Sequence, residues 1–178
     1  MKVLFFGNFI PLQGVQYIIK AAKILEKEPD IKFEIIGNGQ THGEMIDLAK
    51  NLRTSNIIFI EKLPITGIAE HIRNADICLG IFGNTRKTQM VIPNKVYEAI
   101  AMVKPVITAD TPAIRELFKD GESIVLCKEA NPEDLAAKIL ELRANSNLRN
   151  SIAQKGYELF KEFATSQKIG QELIKNLD

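Results

Sequence analysis

Pro93, Asn94, Lys95 and Glu98 are the residues whose types and spacing most directly suggest chemistry. Proline suits the first position of a helix, where its missing N–H loses no bond. Asn94, Lys95 and Glu98 then fall three and four residues apart and share one face beside the helix start. A lysine at the positive end of a helix is locally unfavourable by about 0.3–1 kcal/mol, unless an anion such as phosphate occupies that end. Glu98, one turn on, is a ready acceptor for a pair of hydroxyl groups. The plain alternative is a surface ion pair between Lys95 and Glu98, worth only about 0.2–0.5 kcal/mol. No acidic residue occurs from position 77 to 97, whereas Arg86, Lys87 and Lys95 supply three cations around the loop-like run Gly83-Asn84-Thr85. Such a run is either an anion-facing stretch or a solvated loop.

Positioning these residues requires elements, and the chain alternates short apolar runs with helical segments. Continuous apolar runs at 3–7, 33–37, 57–61, 77–82, 105–109 and 123–126 read as strands buried on both faces of a parallel sheet. Helices are expected over 14–27, 42–52, 66–73, 93–102 and 111–118. Asn131-Pro132-Glu133-Asp134 is a strong helix start, leading into a helical C-terminal tail broken near 145–147 and again near Thr165. The fold class is therefore α/β: a Rossmann-like doubly wound parallel sheet of about six strands, with helices on both faces and its ligand site at the carboxyl ends of the strands.

Glycines sit just past the first two strands. Gly7-Asn8-Phe9 and Pro11-Leu12-Gln13-Gly14 form a turn into a helix that either presents backbone N–H groups to a phosphate or merely needs glycine for its geometry. Gly37-Asn38-Gly39 is either a close approach for a ligand or ordinary turn chemistry. It is followed by Gln40, Thr41 and His42, so the G-x-G-x-x-G dinucleotide fingerprint fails.

Composition bounds the rest. A chain of 178 residues with 46% hydrophobic residues is a natural single-domain size and can bury roughly 70% of its unfolded surface, and no linker divides residues 1–178. A net charge of +1 argues against a nucleic-acid or anionic-membrane surface, while a small anionic ligand needs only a local positive patch. Cys78 and Cys127 lack CxxC spacing and read as two buried free thiols. No apolar run approaches the ~20 residues of a membrane span, and the chain reads as cytoplasmic. His42 and His71 stand on separate helices outside any metal or nucleophile motif and read as surface residues, and no G-x-S-x-G elbow is present. No cofactor is implied.

Taken in order, residues 7–22, 33–39 (F-E-I-I-G-N-G), 56–64 (N-I-I-F-I-E-K-L-P), 74–83 and 93–110 (P-N-K-V-Y-E-A-I-A-M-V-K-P-V-I-T-A-D) resemble the nucleotide-sugar site of retaining glycosyltransferases of the GT-B fold. The resemblance covers the carboxy-terminal, donor-binding half of such an enzyme. It implies a nucleoside-diphosphate sugar (a UDP-, GDP- or ADP-sugar) as ligand, and an N-terminal acceptor-binding domain as partner. By the same resemblance Glu98 binds the ribose hydroxyls, and Pro93, Asn94 and Lys95 face the donor phosphates. Glu61, Lys62 and Leu63 lie against the nucleobase, and Gly7 with Gly14 approach the diphosphate. The resemblance assigns no catalytic residue, because transfer in this class relies on orientation and on stabilising the departing diphosphate.

Three positions depart from the family. Met90 stands where the first glutamate of a two-glutamate motif is usual, although a branch with P-x-K before the retained glutamate also lacks it. Asn8 and Gln13 replace an arginine and a lysine, leaving Arg86, Lys87 and Lys95 to meet the diphosphate. A binding module without transferase activity is the alternative these departures favour, and a nucleotide-sugar epimerase is a third reading.

Overall fold

The computed structural model describes residues 1–61 and 63–175. Six strands, β1 (Lys2–Phe6), β2 (Lys32–Ile36), β3 (Ile57–Ile60), β4 (Ile77–Leu79), β5 (Val106–Ala109) and β6 (Val125–Cys127), form one parallel sheet. Their order is β3-β2-β1-β4-β5-β6. The pairing of Val3 with both Phe33 and Ile77 fixes the register at the centre. Successive side chains of a strand point to opposite faces, so a run such as Val3-Leu4-Phe5-Phe6 feeds two cores. Val3 and Phe5 pack on one face, while Leu4 and Phe6 pack on the other. This explains why the strands read as continuous apolar runs rather than alternating ones.

Helices cover both faces. Helix α1 (Val15–Ile24) buries Val15, Ile18, Ile19 and Ala22 against Leu135, Ile139 and Leu142 of α6 (Pro132–Ala144), with α2 (His42–Asn51) contributing Met45 and Ala49. On the opposite face lie α3 (Ile65–Asn74), α4 (Asn94–Ala101) and the short α5 (Pro112–Arg115), through Ile72, Val96, Ala99, Ile100 and Ile114. The tail continues as α7 (Ser146–Leu159), a π-helical stretch (Phe160–Ala164) and α8 (Ser166–Lys175). Asn145 ends α6 and caps α7, its Oδ1 accepting from the Leu148 N–H at 2.9 Å, and Thr165 is extended between the π-helical stretch and α8. Both breaks in the tail fall where the sequence places them.

The differences lie at element ends. The expected strand 77–82 is regular only to Leu79; bonds to β5 run on through Ile81, the Gly80 N–H donating to Ile107 O (2.8 Å) and the Ala109 N–H to Ile81 O (2.9 Å). The chain then turns to the loop after β1, where the Phe82 N–H donates to Gln13 O (3.1 Å) and the Gly83 N–H to Leu12 O (3.2 Å). Gly7, Gly37 and Glu61 fall just outside their strands. Pro93 is the N-cap of α4 rather than its first helical residue, since its ψ of 146° is still extended. The expected helix 111–118 shrinks to one turn capped by Thr111, whose Oγ1 accepts from the Ile114 N–H, while Phe118 drops into the core. Cys78 and Cys127 are buried and free, and burial pushes the Cys78 thiol up to about 12.

Candidate functional site

The chain leaves β1 toward α1 on one face of the sheet and leaves the adjacent β4 toward α4 on the other. This divergence is the switch point at which open α/β sheets hold ligands, outside the carboxyl ends of their strands. Two loops meet there. After β1 come Gly7, the exposed Asn8, the buried Phe9, a 3-10 turn over Pro11–Gln13, and Gly14. Gly14 has a φ of 66°, and a Cβ on it would lie 2.6 Å from the Phe82 carbonyl carbon, so only glycine allows the two loops this contact. Gly83 presses from the other side, its would-be Cβ 2.6 Å from Leu12 O.

Lys95 enters the crevice from the first turn of α4 and is only 7% exposed. Its Nζ donates to Gln13 Oε1 at 2.5 Å and stands 3.7 Å from the centre of the Phe5 ring. A Cβ on Gly7 would come within 2.6 Å of that nitrogen, so Gly7 makes room for the amine as well as turning the chain. Burial lowers the Lys95 pKa well below the usual lysine value, offset only in part by the Glu98 charge. The ion pair considered from sequence is therefore not formed: Lys95 turns inward to Gln13 while Glu98 is exposed, with no hydrogen-bond or ion-pair partner among the described residues.

Two cavities lie beside these groups. An apolar slot of about 210 Å³ is lined by Phe6, Gly7, Asn8, Ile36, Gly37, Leu63 and Ile68. It shares Gly7 with the Lys95 corner. A second of about 190 Å³ is bounded by Ile68, Ala69, Ile72, Glu98 and Met102, so Ile68 joins the slot to Glu98. Asn94 faces a larger groove of about 490 Å³ with Tyr97, Glu98, Leu117 and Phe163.

Other candidate residues stand as follows. Arg86, Lys87 and Asn84 are exposed on the loop after β4, and no ion pair engages either cation among the described residues. Thr85 is held within that loop, its Oγ1 2.9 Å from Thr88 Oγ1. Gly39 is packed on Phe9 backbone, to which the Asn38 carbonyl is also bonded at 2.9 Å, so this turn braces the β1 loop. Lys62 lies outside the described residues. His71 is not a plain surface residue. It is half-buried, its Nδ1 2.9 Å from Glu34 Oε2, while His42 stacks on Phe9 at 5.2 Å. Among the described residues no group of His, Cys, Asp or Glu converges as metal ligands, and no helix is long and apolar enough to cross a membrane. Sequence reasoning missed Phe5, Phe6, Ile36 and Ile68 as site walls. They lie in apolar segments and carry no signal separating wall from core.

A doubly wound parallel sheet with a buried lysine, a free carboxylate and an apolar slot around its switch point defines a protein of the Rossmann-like α/β class. Residues 1–159 match the family of glycosyl transferases group 1, and the chain belongs to that family. An uncharacterised glycosyltransferase of Methanocaldococcus jannaschii is 28% identical over 168 residues, which is 90% of this chain and 43% of the relative. Among solved structures, the C-terminal domain of the group 1 glycosyl transferase LpcC of Francisella tularensis superposes with a TM-score of 0.79 at 26% identity, covering 93% of this chain and 87% of that one. Anabaena HepE, solved with UDP-glucose, shares the fold with a TM-score of 0.86 at 18% identity, over 99% of this chain and 48% of its own. The chain thus corresponds to the carboxy-terminal domain of a GT-B glycosyltransferase, and spans about two-fifths of the curated relatives it matches.

Proposed function

We propose that this chain is the donor-binding domain of a retaining glycosyltransferase, which holds a nucleoside-diphosphate sugar while an acceptor-binding domain presents the acceptor. The observation that carries the reading is Lys95, a buried amine with no carboxylate partner, set against the glycine turn at the switch point. A diphosphate beside Gly7 and Gly14 supplies the charge that Lys95 lacks, with Asn8, Gln13, the helix start at Pro93 and Asn94, and the loop cations Arg86 and Lys87 around it. The loop residues Gly83, Asn84 and Thr85 carry those cations.

The base lies in the apolar slot between Gly37 and Leu63, with Gly39 beyond it, and the ribose hydroxyls bind the Glu98 carboxylate; Lys62, next to Leu63 in sequence, is the further residue expected to meet the base. The shared walls, Gly7 between amine and slot and Ile68 between slot and Glu98, support this order along the ligand. Chemistry then rests on orienting the donor and stabilising the leaving diphosphate, as expected for a site whose charged groups bind rather than attack.

A thermal-shift screen of the chain with UDP, GDP and ADP and their sugars tests this, UDP first because the Anabaena neighbour holds UDP-glucose. At ten times Kd one ligand should stabilise the chain by about 1.4 kcal/mol, seen as a rise of a few degrees in Tm. No shift with any of them at 10 mM would overturn the reading.

A further inference from the structure

Lys95 Nζ is enclosed by groups that carry no charge. The Gln13 side-chain oxygen accepts from it at 2.5 Å, the Phe5 ring lies 3.7 Å away and the Phe6 ring 6.0 Å away. Gly7 packs against the amine with no side chain between them, a Cβ there coming 2.6 Å from Nζ. The charge that acts on the amine from α4, the Glu98 carboxylate, belongs to an exposed side chain. Gln13 is itself buried at the end of the 3-10 turn, and its backbone oxygen receives the Phe82 N–H, so the loops that shape the crevice also fix this side chain.

We propose that Gln13 is a positioning residue for Lys95: its amide oxygen fixes the amine beneath the Gly7 turn without giving it a counter-charge, so that the ligand's phosphate becomes the counter-ion. This rests on the nucleotide reading above. Two consequences separate it from a merely structural glutamine. In the empty protein burial disfavours the charged form of the amine; when the diphosphate arrives its charge favours the ammonium, so binding draws protons from the buffer as the Lys95 nitrogen bonds to phosphate oxygen. A carboxylate in place of the amide would neutralise the amine from within, keep it protonated, and compete with the phosphate.

The test is calorimetry at pH 8, where the nucleotide's phosphates are ionised, in two buffers of different ionisation heat. It uses whichever of UDP, GDP and ADP binds the parent chain best and counts protons taken up per nucleotide bound. The parent should take up protons on binding, and Lys95→Met none. Gln13→Glu should take up almost none and bind at least tenfold more weakly. Gln13→Met, which fits the same space without an acceptor, should still take up a proton but bind several-fold more weakly, while affinity for the uncharged nucleoside stays unchanged in all variants. Circular dichroism and Tm confirm that each variant folds. Parent-like affinity and proton uptake in Gln13→Glu, parent-like affinity in Gln13→Met, or no uptake by the parent, overturns the role of Gln13. Absence of binding by all three nucleotides instead overturns the site itself.

Discussion

Two side chains carry opposite demands on the folded chain. Lys95 is held where its charge is disfavoured, so its folded pKa lies below the unfolded one. Below the folded value the cost of burying the charge is fully present. As pH rises from there toward the unfolded value, the unfolded chain binds the extra proton and stability increases. Lys95→Met removes this cost, and should raise Tm at pH 7. The difference should close as pH approaches 10 in thermal unfolding monitored by circular dichroism; a gap constant with pH would contradict the account. Glu98 is exposed and unpaired among the described residues, so Glu98→Gln should leave Tm unchanged. It should weaken nucleoside-diphosphate binding by about 1.5–3 kcal/mol, the range for hydrogen bonds to a charged group, yet hardly affect the 2′-deoxy ligand. Equal losses for both ligands in calorimetry would separate Glu98 from the ribose.

At the scale of elements, the contact between the loops after β1 and β4 sets the width of the crevice. Gly14 combines two constraints there, a φ of 66° and two backbone atoms of the facing loop in the way of a Cβ. Gly14→Ala should cost about 2–4 kcal/mol by combining left-handed strain with overpacking, and nucleotide affinity should fall with it. Urea denaturation measures the first; a cost under about 0.5 kcal/mol would mean that the loops part easily. The elements themselves were legible from sequence because parallel strands buried on both faces must be apolar throughout, and α6 announces itself through Asn131 and Pro132. Ends were less legible. Where the chain leaves the sheet after Ile81 goes with Phe82 and Gly83 bonding to residues some seventy positions earlier, which no local pattern records. The same holds for the site. Lys95 was visible as a cation in the wrong place, whereas its burial on Gln13 and Phe5 joins three distant segments and came only with the fold.

For the whole molecule, the chain matches about two-fifths of the length of its curated relatives. A donor domain by itself should bind a nucleoside diphosphate with a Kd from high micromolar to millimolar, about −4 to −6 kcal/mol. It should not transfer sugar, because water is not excluded from the reacting bond; efficient transfer by the purified chain would refute this. The central claim is that one ligand spans Lys95, the Gly7 turn, the apolar slot and Glu98. Amide NMR of the isotopically labelled chain, titrated with the nucleoside diphosphate giving the largest thermal shift, tests it most directly. The account expects the largest shifts at Gly7, Asn8, Gly14, Gly37, Leu63, Lys95 and Glu98, with the backs of α6 and α7 unmoved; saturable shifts that instead cluster on the tail around Phe163 and α8, leaving Gly7 and Lys95 unchanged, would contradict it.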